Sequence, residues 1–291
     1  MLFNVFSPFY SLRVLVLVAN LPCFMFFTSA NAATAHFDDL LTKGNEQLVS
    51  GQLHGAEHDL QQAYELASSS QEKLSAALAL GRVYYQTHHF ERALALLEPE
   101  LSVASDLQKA QRLHLLGNLY SQQHQNSKAQ QSYAQALQLL SPDSIVALQI
   151  KLNQLAIRPA KDKLNALLAL KDKVLALNAT NERSEQIQLL LGMAAQAQLL
   201  EQNGLALAYE LLEQAVQTSI FDASLQAQSL NALADLYEKA QKPSQALSLS
   251  LQAVSLLGQS VQLHQDLLFE LEWRMARVCL LYTSPSPRDQ R

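Results

Sequence analysis

The chain is poor in the residues on which much protein chemistry depends. Its two cysteines are Cys23 and Cys279, and none lies between positions 33 and 278. Disulfides, thiolate nucleophiles and cysteine-ligated zinc are therefore excluded from that span. Only eight glycines and eight prolines are present in 291 residues, and no glycine-rich phosphate loop or Gly-x-Ser-x-Gly elbow occurs. Charged residues make up 16% of the chain and form no Lys/Arg block. The net charge is −5, and −7 once Arg13, Arg288, Arg291 and Asp289 near the ends are set aside. A mildly acidic chain with scattered cations argues against nucleic acid or an anionic membrane surface as partner. No stretch combines apolar/polar alternation with the β-branched enrichment that strands need. What remains is Leu-, Ala- and Gln-rich sequence of helical character.

The titratable residues do not assemble into a catalytic pattern. His54 and His58 stand four apart, the spacing of two ligands on one helix face, but no His-Glu-x-x-His accompanies them, and His54 is expected in a turn. His88-His89 falls in the analogous turn of the next segment. Glu98 with Glu100, Asp38 with Asp39, and Glu270 with Glu272 have no reason to converge in a cleft. The expectation is a chain that is not an enzyme and holds neither metal nor cofactor.

Both ends depart from the middle. Arg13 precedes the apolar run Val14–Phe27, and Ala30-Asn31-Ala32 follows with small residues at a cleavage spacing. These are the three parts of a secretory signal peptide, so residues 1–32 are expected to be removed and the chain to be periplasmic or secreted in a Gram-negative bacterium. The apolar run is shorter than the roughly 20 residues a spanning helix wants, so no membrane span is expected in the mature chain. At the other end, Cys279-Leu-Leu-Tyr-Thr-Ser-Pro-Ser-Pro-Arg-Asp breaks the helical pattern and resembles a transposase-type sequencing adapter translated in frame. Residues 279–291 are accordingly expected to be a non-native tail, with the natural gene continuing past Val278.

Between the ends the sequence repeats itself. Gly44, Gly81, Gly117 and Ala234 are each followed 12 positions later by alanine: Ala56, Ala93, Ala129 and Ala246. Seven residues beyond come Ala63, Ala136 and Ala253, with Glu100 as the exception. Gly44, Gly81 and Gly117 are 37 and 36 residues apart, and tyrosine stands three residues after the last three of the four small residues, at Tyr84, Tyr120 and Tyr237. Small residues at this spacing suit two antiparallel helices that cross closely, and an alanine-to-alanine step of seven returns to one helix face. Two segments fit less well. Residues 143–177 lack the small-x-x-Tyr mark and are broken at Arg158-Pro159. Residues 183–218 place Ala208 16 rather than 12 positions after Gly192, which reads as a longer first helix or loop around Asn203-Gly204.

This pattern resembles the tetratricopeptide repeat. The resemblance implies an all-α, right-handed superhelical solenoid of about six antiparallel helix pairs plus a truncated seventh over residues 33–278. It further implies a groove, lined by first helices, that takes protein or peptide partners. Marking helix faces from the small residues puts Leu78, Arg82 and Tyr85 on that groove, then His114, Asn118 and Ser121, then Asn231, Asp235 and Glu238. Asn and Arg side chains suit the backbone or carboxylate of an extended peptide. The last helical stretch, Leu267–Val278, resembles the final repeat of bacterial proteins in which tetratricopeptides precede a caspase-like CHAT module. A sensor half of such a protein, or of a membrane-linked signalling protein, is the alternative to a bare scaffold.

Overall fold

The computed structural model describes residues 21–99, 105–177, 182–200, 202–258 and 265–283. Two units divide the chain, Met1–Ala104 and Ser105–Arg291. In the first, α1 (Leu21–Val49) packs on α2 (Leu53–Leu66), and α3 (Ser70–Gln86) on α4 (Phe90–Leu97). The second begins with the pairs α5 (Asp106–Gln122) with α6 (Asn126–Gln138) and α7 (Ile145–Ala156) with α8 (Ala160–Leu175). It continues with α9 (Arg183–Gln198) and α10 (Gln202–Thr218), α11 (Ala223–Lys239) and α12 (Pro243–Leu257), and a single helix α13 (Gln265–Thr283). Among the described residues there is no strand. The described residues thus form an all-α helical repeat of thirteen helices.

The packing follows the sequence marks. Ala56, Ala93, Ala129 and Ala246 are fully buried, as are Ala63, Ala136 and Ala253. So is the residue 16 positions past each small mark: Leu60, Leu97, Tyr133 and Ser250. These side chains lie where a larger first-helix residue would need room. A Cβ added at Gly44 would come 2.5 Å from Leu60 Cγ, closer than real Cβ contacts allow.

Each well-formed pair closes through the same turn. The residue seven past the small mark has left-handed backbone: Gly51, His88, His124 and Gln241, with φ of 77°, 59°, 58° and 56°. The next N–H reaches back to the carbonyl five residues earlier, Gln52 to Gln47 and Gln125 to Tyr120 at 2.8 Å, His89 to Tyr84 at 2.8 Å, Lys242 to Tyr237 at 2.9 Å. This is the Schellman pattern, which satisfies carbonyls left open at a helix C-terminus. First helices begin differently, on side-chain caps. Ser69 and Ser105 form capping boxes with Glu72 and Gln108, and Ser144 and Asp222 cap α7 and α11.

The two imperfect segments depart from the expectation in different ways. Around Gly192 the spacing of 12 is kept, because Gly204 occupies the alanine position in the first turn of α10. A Cβ there would stand 1.9 Å from the Ala197 carbonyl oxygen, so only glycine fits. The longer helix or loop expected from Ala208 is therefore corrected: α9 has 16 residues, no more than its counterparts. In α8 the buried position that alanine holds in α2, α4, α6 and α12 is Lys163. Lys163 lies 12 positions after Lys151, and both ammonium groups turn to carbonyls, Lys163 to Ala156 at 3.0 Å and Lys151 to Pro142 at 2.6 Å. This pair is less intimately packed than α5–α6 or α11–α12.

At the ends, α1 passes without a break through the Ala32-Ala33 junction, and residues 1–20 of the expected signal peptide lie outside the described residues. α13 does not stop at Val278 but runs on to Thr283, since Leu280, Leu281 and Tyr282 are compatible with a helix and proline first intervenes at Pro285. Residues 284–291 of the expected tail lie outside the described residues. His54, expected in a turn, sits in the first turn of α2.

Candidate interaction surface

The residues assigned from sequence to the first-helix face have three different fates. On α3, Arg82 is exposed, and Tyr85 is half-buried with its ring 6.1 Å from that of Phe90. Leu78, expected to line the same face, is buried in the core.

On α5, His114 and Asn118 are brought together by a residue the sequence reading did not single out. The side-chain amide of Asn153 in α7 donates to His114 Nε2 at 2.8 Å and to Asn118 Oδ1 at 2.9 Å. The hydroxyl of Tyr133, itself buried, donates to the same Asn118 oxygen at 2.7 Å. With the amide so oriented His114 Nε2 is an acceptor, which places the ring proton on Nδ1. Asn153 stands 35 residues after Asn118, one repeat length, and that spacing is the signal by which it was legible.

On α11, the face is covered. Asn231 is 8% exposed, and Arg274 of α13, 2% exposed, lies against it. The Arg274 guanidinium donates to the Asn231 carbonyl at 3.1 Å, to the Asn231 side-chain oxygen, and to Glu238 at 3.1 Å. Its far nitrogen stands 3.7 Å from both Asp235 and Glu270. Arg277 adds a pair of contacts to Glu238 at 2.9 Å. Asn231 and Asp235, expected to meet a partner, instead form a receptor for an arginine of the same chain. The reason is electrostatic: a buried guanidinium needs its donors matched by acceptors, and α11 presents a carbonyl, an amide oxygen and two carboxylates on one face.

Half-buried tyrosines mark the mouths of the pairs. Arg92 stands over Tyr84 at 6.0 Å, Lys128 over Tyr120 at 5.2 Å and Lys242 over Tyr237 at 5.7 Å. These rings at the repeat marks are thus packed on one side and cation-covered on the other. Among the described residues no three His, Cys, Asp or Glu side chains lie where they could hold a metal ion, and no helix is long and apolar enough to cross a membrane.

The family model of the tetratricopeptide repeat-like domain matches residues 28–157, from α1 to the end of α7. The similarity to that family thus spans less than half of the chain. Among solved structures, a tetratricopeptide repeat protein from Parabacteroides merdae is similar at 16% identity over 87% of this chain and 95% of that one, with a TM-score of 0.41. The tetratricopeptide domain of P58(IPK) is similar at 15% identity over 92% and 85%, with a TM-score of 0.23. No curated protein matches the sequence. Past residue 157 the small-residue spacing of 12 recurs in the α9–α10 and α11–α12 pairs, from Gly192 to Gly204 and from Ala234 to Ala246.

Proposed function

We propose that this tetratricopeptide chain is an exported scaffold that binds a protein or peptide partner and performs no catalysis. The observation that carries the reading is the arrangement of its first helices. Polar and aromatic side chains recur there at fixed repeat positions, and on α3 Arg82 is exposed where its counterpart Asp235 on α11 is engaged by Arg274. The Arg82 side chain reaches solvent while burial pushes its guanidinium below the ordinary value, and a partly desolvated guanidinium is suited to hold a carboxylate or carbonyl of an extended chain. Export is supported by Arg13, the apolar run and Ala30-Asn31-Ala32.

A photo-crosslinking amino acid placed at position 82 in cells of a Gram-negative host, with the exposed position 91 on α4 as control, tests the binding surface. A discrete adduct at 82 and not at 91 is expected; no adduct, or the same adducts at both, sinks the reading. Amino-terminal sequencing of periplasmic protein should begin at Ala33, and an intact Met1 in the membrane fraction would remove the export part.

A further inference from the structure

In α8, the buried fourth position that alanine holds in α2, α4, α6 and α12 is occupied by Lys163, and Lys151 stands across from it on α7. Beside this pair, between α6 and α8, lies a cleft of about 340 Å³ open to solvent. Leu137, Leu155 and Leu170 form its apolar floor, and Lys151, Arg158 and Lys173 bring three cations to it. The acceptors these cations have are mostly neutral. Lys151 donates to the Pro142 carbonyl at 2.6 Å and Arg158 to Gln154 Oε1 at 3.4 Å, while Lys173 pairs with the exposed Asp143 at 2.5 Å. Burial and the charge of Lys173 push the Lys151 ammonium down from its ordinary value. Three cations gathered on an apolar floor run against the acidic balance of the whole chain.

We propose that this cleft binds an acidic peptide segment of a partner protein, with apolar side chains on the leucine floor and carboxylates on Lys151, Arg158 and Lys173. Charge complementarity selects the anion, since carboxylate–guanidinium and carboxylate–ammonium hydrogen bonds are the strong ones. The open form selects a chain laid across the cleft rather than a molecule swallowed by it. Arg82 is not among the lining residues, so this site and the Arg82 surface stand or fall separately.

The test is fluorescence anisotropy of the full chain with a labelled, end-blocked peptide of leucine and glutamate, against glutamine and lysine counterparts. The glutamate peptide is expected to bind saturably and the glutamine peptide at least about tenfold more weakly, one charge-assisted hydrogen bond or more being lost. Lys151→Gln and Arg158→Gln should each weaken binding by roughly tenfold with an unchanged helical circular dichroism spectrum. Lys173→Glu, whose side chain is half in solvent, should shift preference toward the lysine peptide, and Glu91→Gln on the exposed face of α4 should leave binding unchanged. Equal binding of the glutamate and glutamine peptides, or indifference to all three cleft substitutions, overturns the proposal. So does saturable binding of dodecanoate without peptide binding, which assigns the cleft to a free fatty acid. Loss of binding in Arg82→Glu alone moves the peptide to the first-helix face and overturns it as well.

Discussion

The ring of Tyr133 fills the place of the side chain that Gly117 lacks: a Cβ at Gly117 would lie 2.4 Å from Tyr133 Cε1. The glycine costs helix stability, about 1 kcal/mol relative to alanine in an exposed helix, and here the close crossing outweighs that cost. Gly117→Ala should therefore destabilise the chain by about 1–3 kcal/mol through overpacking. At Gly258 an added Cβ meets nothing nearer than 3.6 Å and φ is −64°, so Gly258→Ala should be neutral or stabilising by up to about 1 kcal/mol. Urea melts of the two variants separate the cases; equal losses would mean that the crossing does not require glycine.

His124 and Gln241 sit in left-handed backbone without glycine's freedom. His124→Gly and Gln241→Gly should each stabilise by roughly 0.5–1 kcal/mol, by removing the Cβ clash of that conformation. His88→Gly should gain less, because it also gives up the edge contact of His88 with Phe90 at 5.6 Å. Thermal melts that fall for all three would contradict the turn assignment.

Arg274 is buried against Asn231 and Glu238. Arg274→Ala should destabilise the second unit by about 3–5 kcal/mol, because it leaves buried acceptors unpaired. Arg274→Lys should recover only part of this, since an ammonium cannot span the same fork of acceptors. Denaturant titration followed at Trp273, one residue away, reads the effect directly; full recovery by lysine would show that charge alone matters.

Much of the fold was legible in the sequence because a close crossing leaves an unambiguous trace: Gly44, Gly81, Gly117 and Ala234 with alanine 12 further on. Gly204 hid the same spacing, since glycine stood where alanine was sought and Ala208 drew the count to 16. The surface was harder to read. Repeat arithmetic placed Asn231 and Asp235 together on one face of their helix but carried no information about Arg274, more than one repeat away. Lys163 left no trace at all, because a lysine at a packing position looks like an ordinary solvated residue until its neighbours are known.

The pH dependence of the first unit should centre on Asp59. Its carboxyl is held below the ordinary carboxylate value chiefly by the hydrogen bond from Lys43, 2.8 Å away, and by His58. A depressed folded-state pKa contributes stability that is present above the unfolded value of about 3.9 and is lost as pH falls through the folded value. The difference in melting temperature between wild type and Asp59→Asn should therefore be largest near neutral pH and vanish on acidification below that range. A difference independent of pH would remove the pairing as its cause.

Phe269 and Trp273 stand one turn apart on α13, 70% and 57% exposed. An apolar face of this kind favours association. Phe269→Ser with Trp273→Ser should lower the apparent mass of the chain in sedimentation at high concentration; an unchanged, monomeric profile in both proteins would show that the face is inert.

The repeated Schellman turn has a kinetic consequence. Four of the helix pairs are closed by hydrogen bonds that span five residues, so the contacts that define such a pair form among near neighbours in the chain, and little loop entropy opposes them. Such a molecule has no single step at which all of its structure is committed. Pairs can open and reclose from the ends inward, and amide exchange should rise in a gradient from pair to pair rather than reach one uniform ceiling. A partner that spans two neighbouring pairs would then be recorded as slowed exchange in amides it never touches.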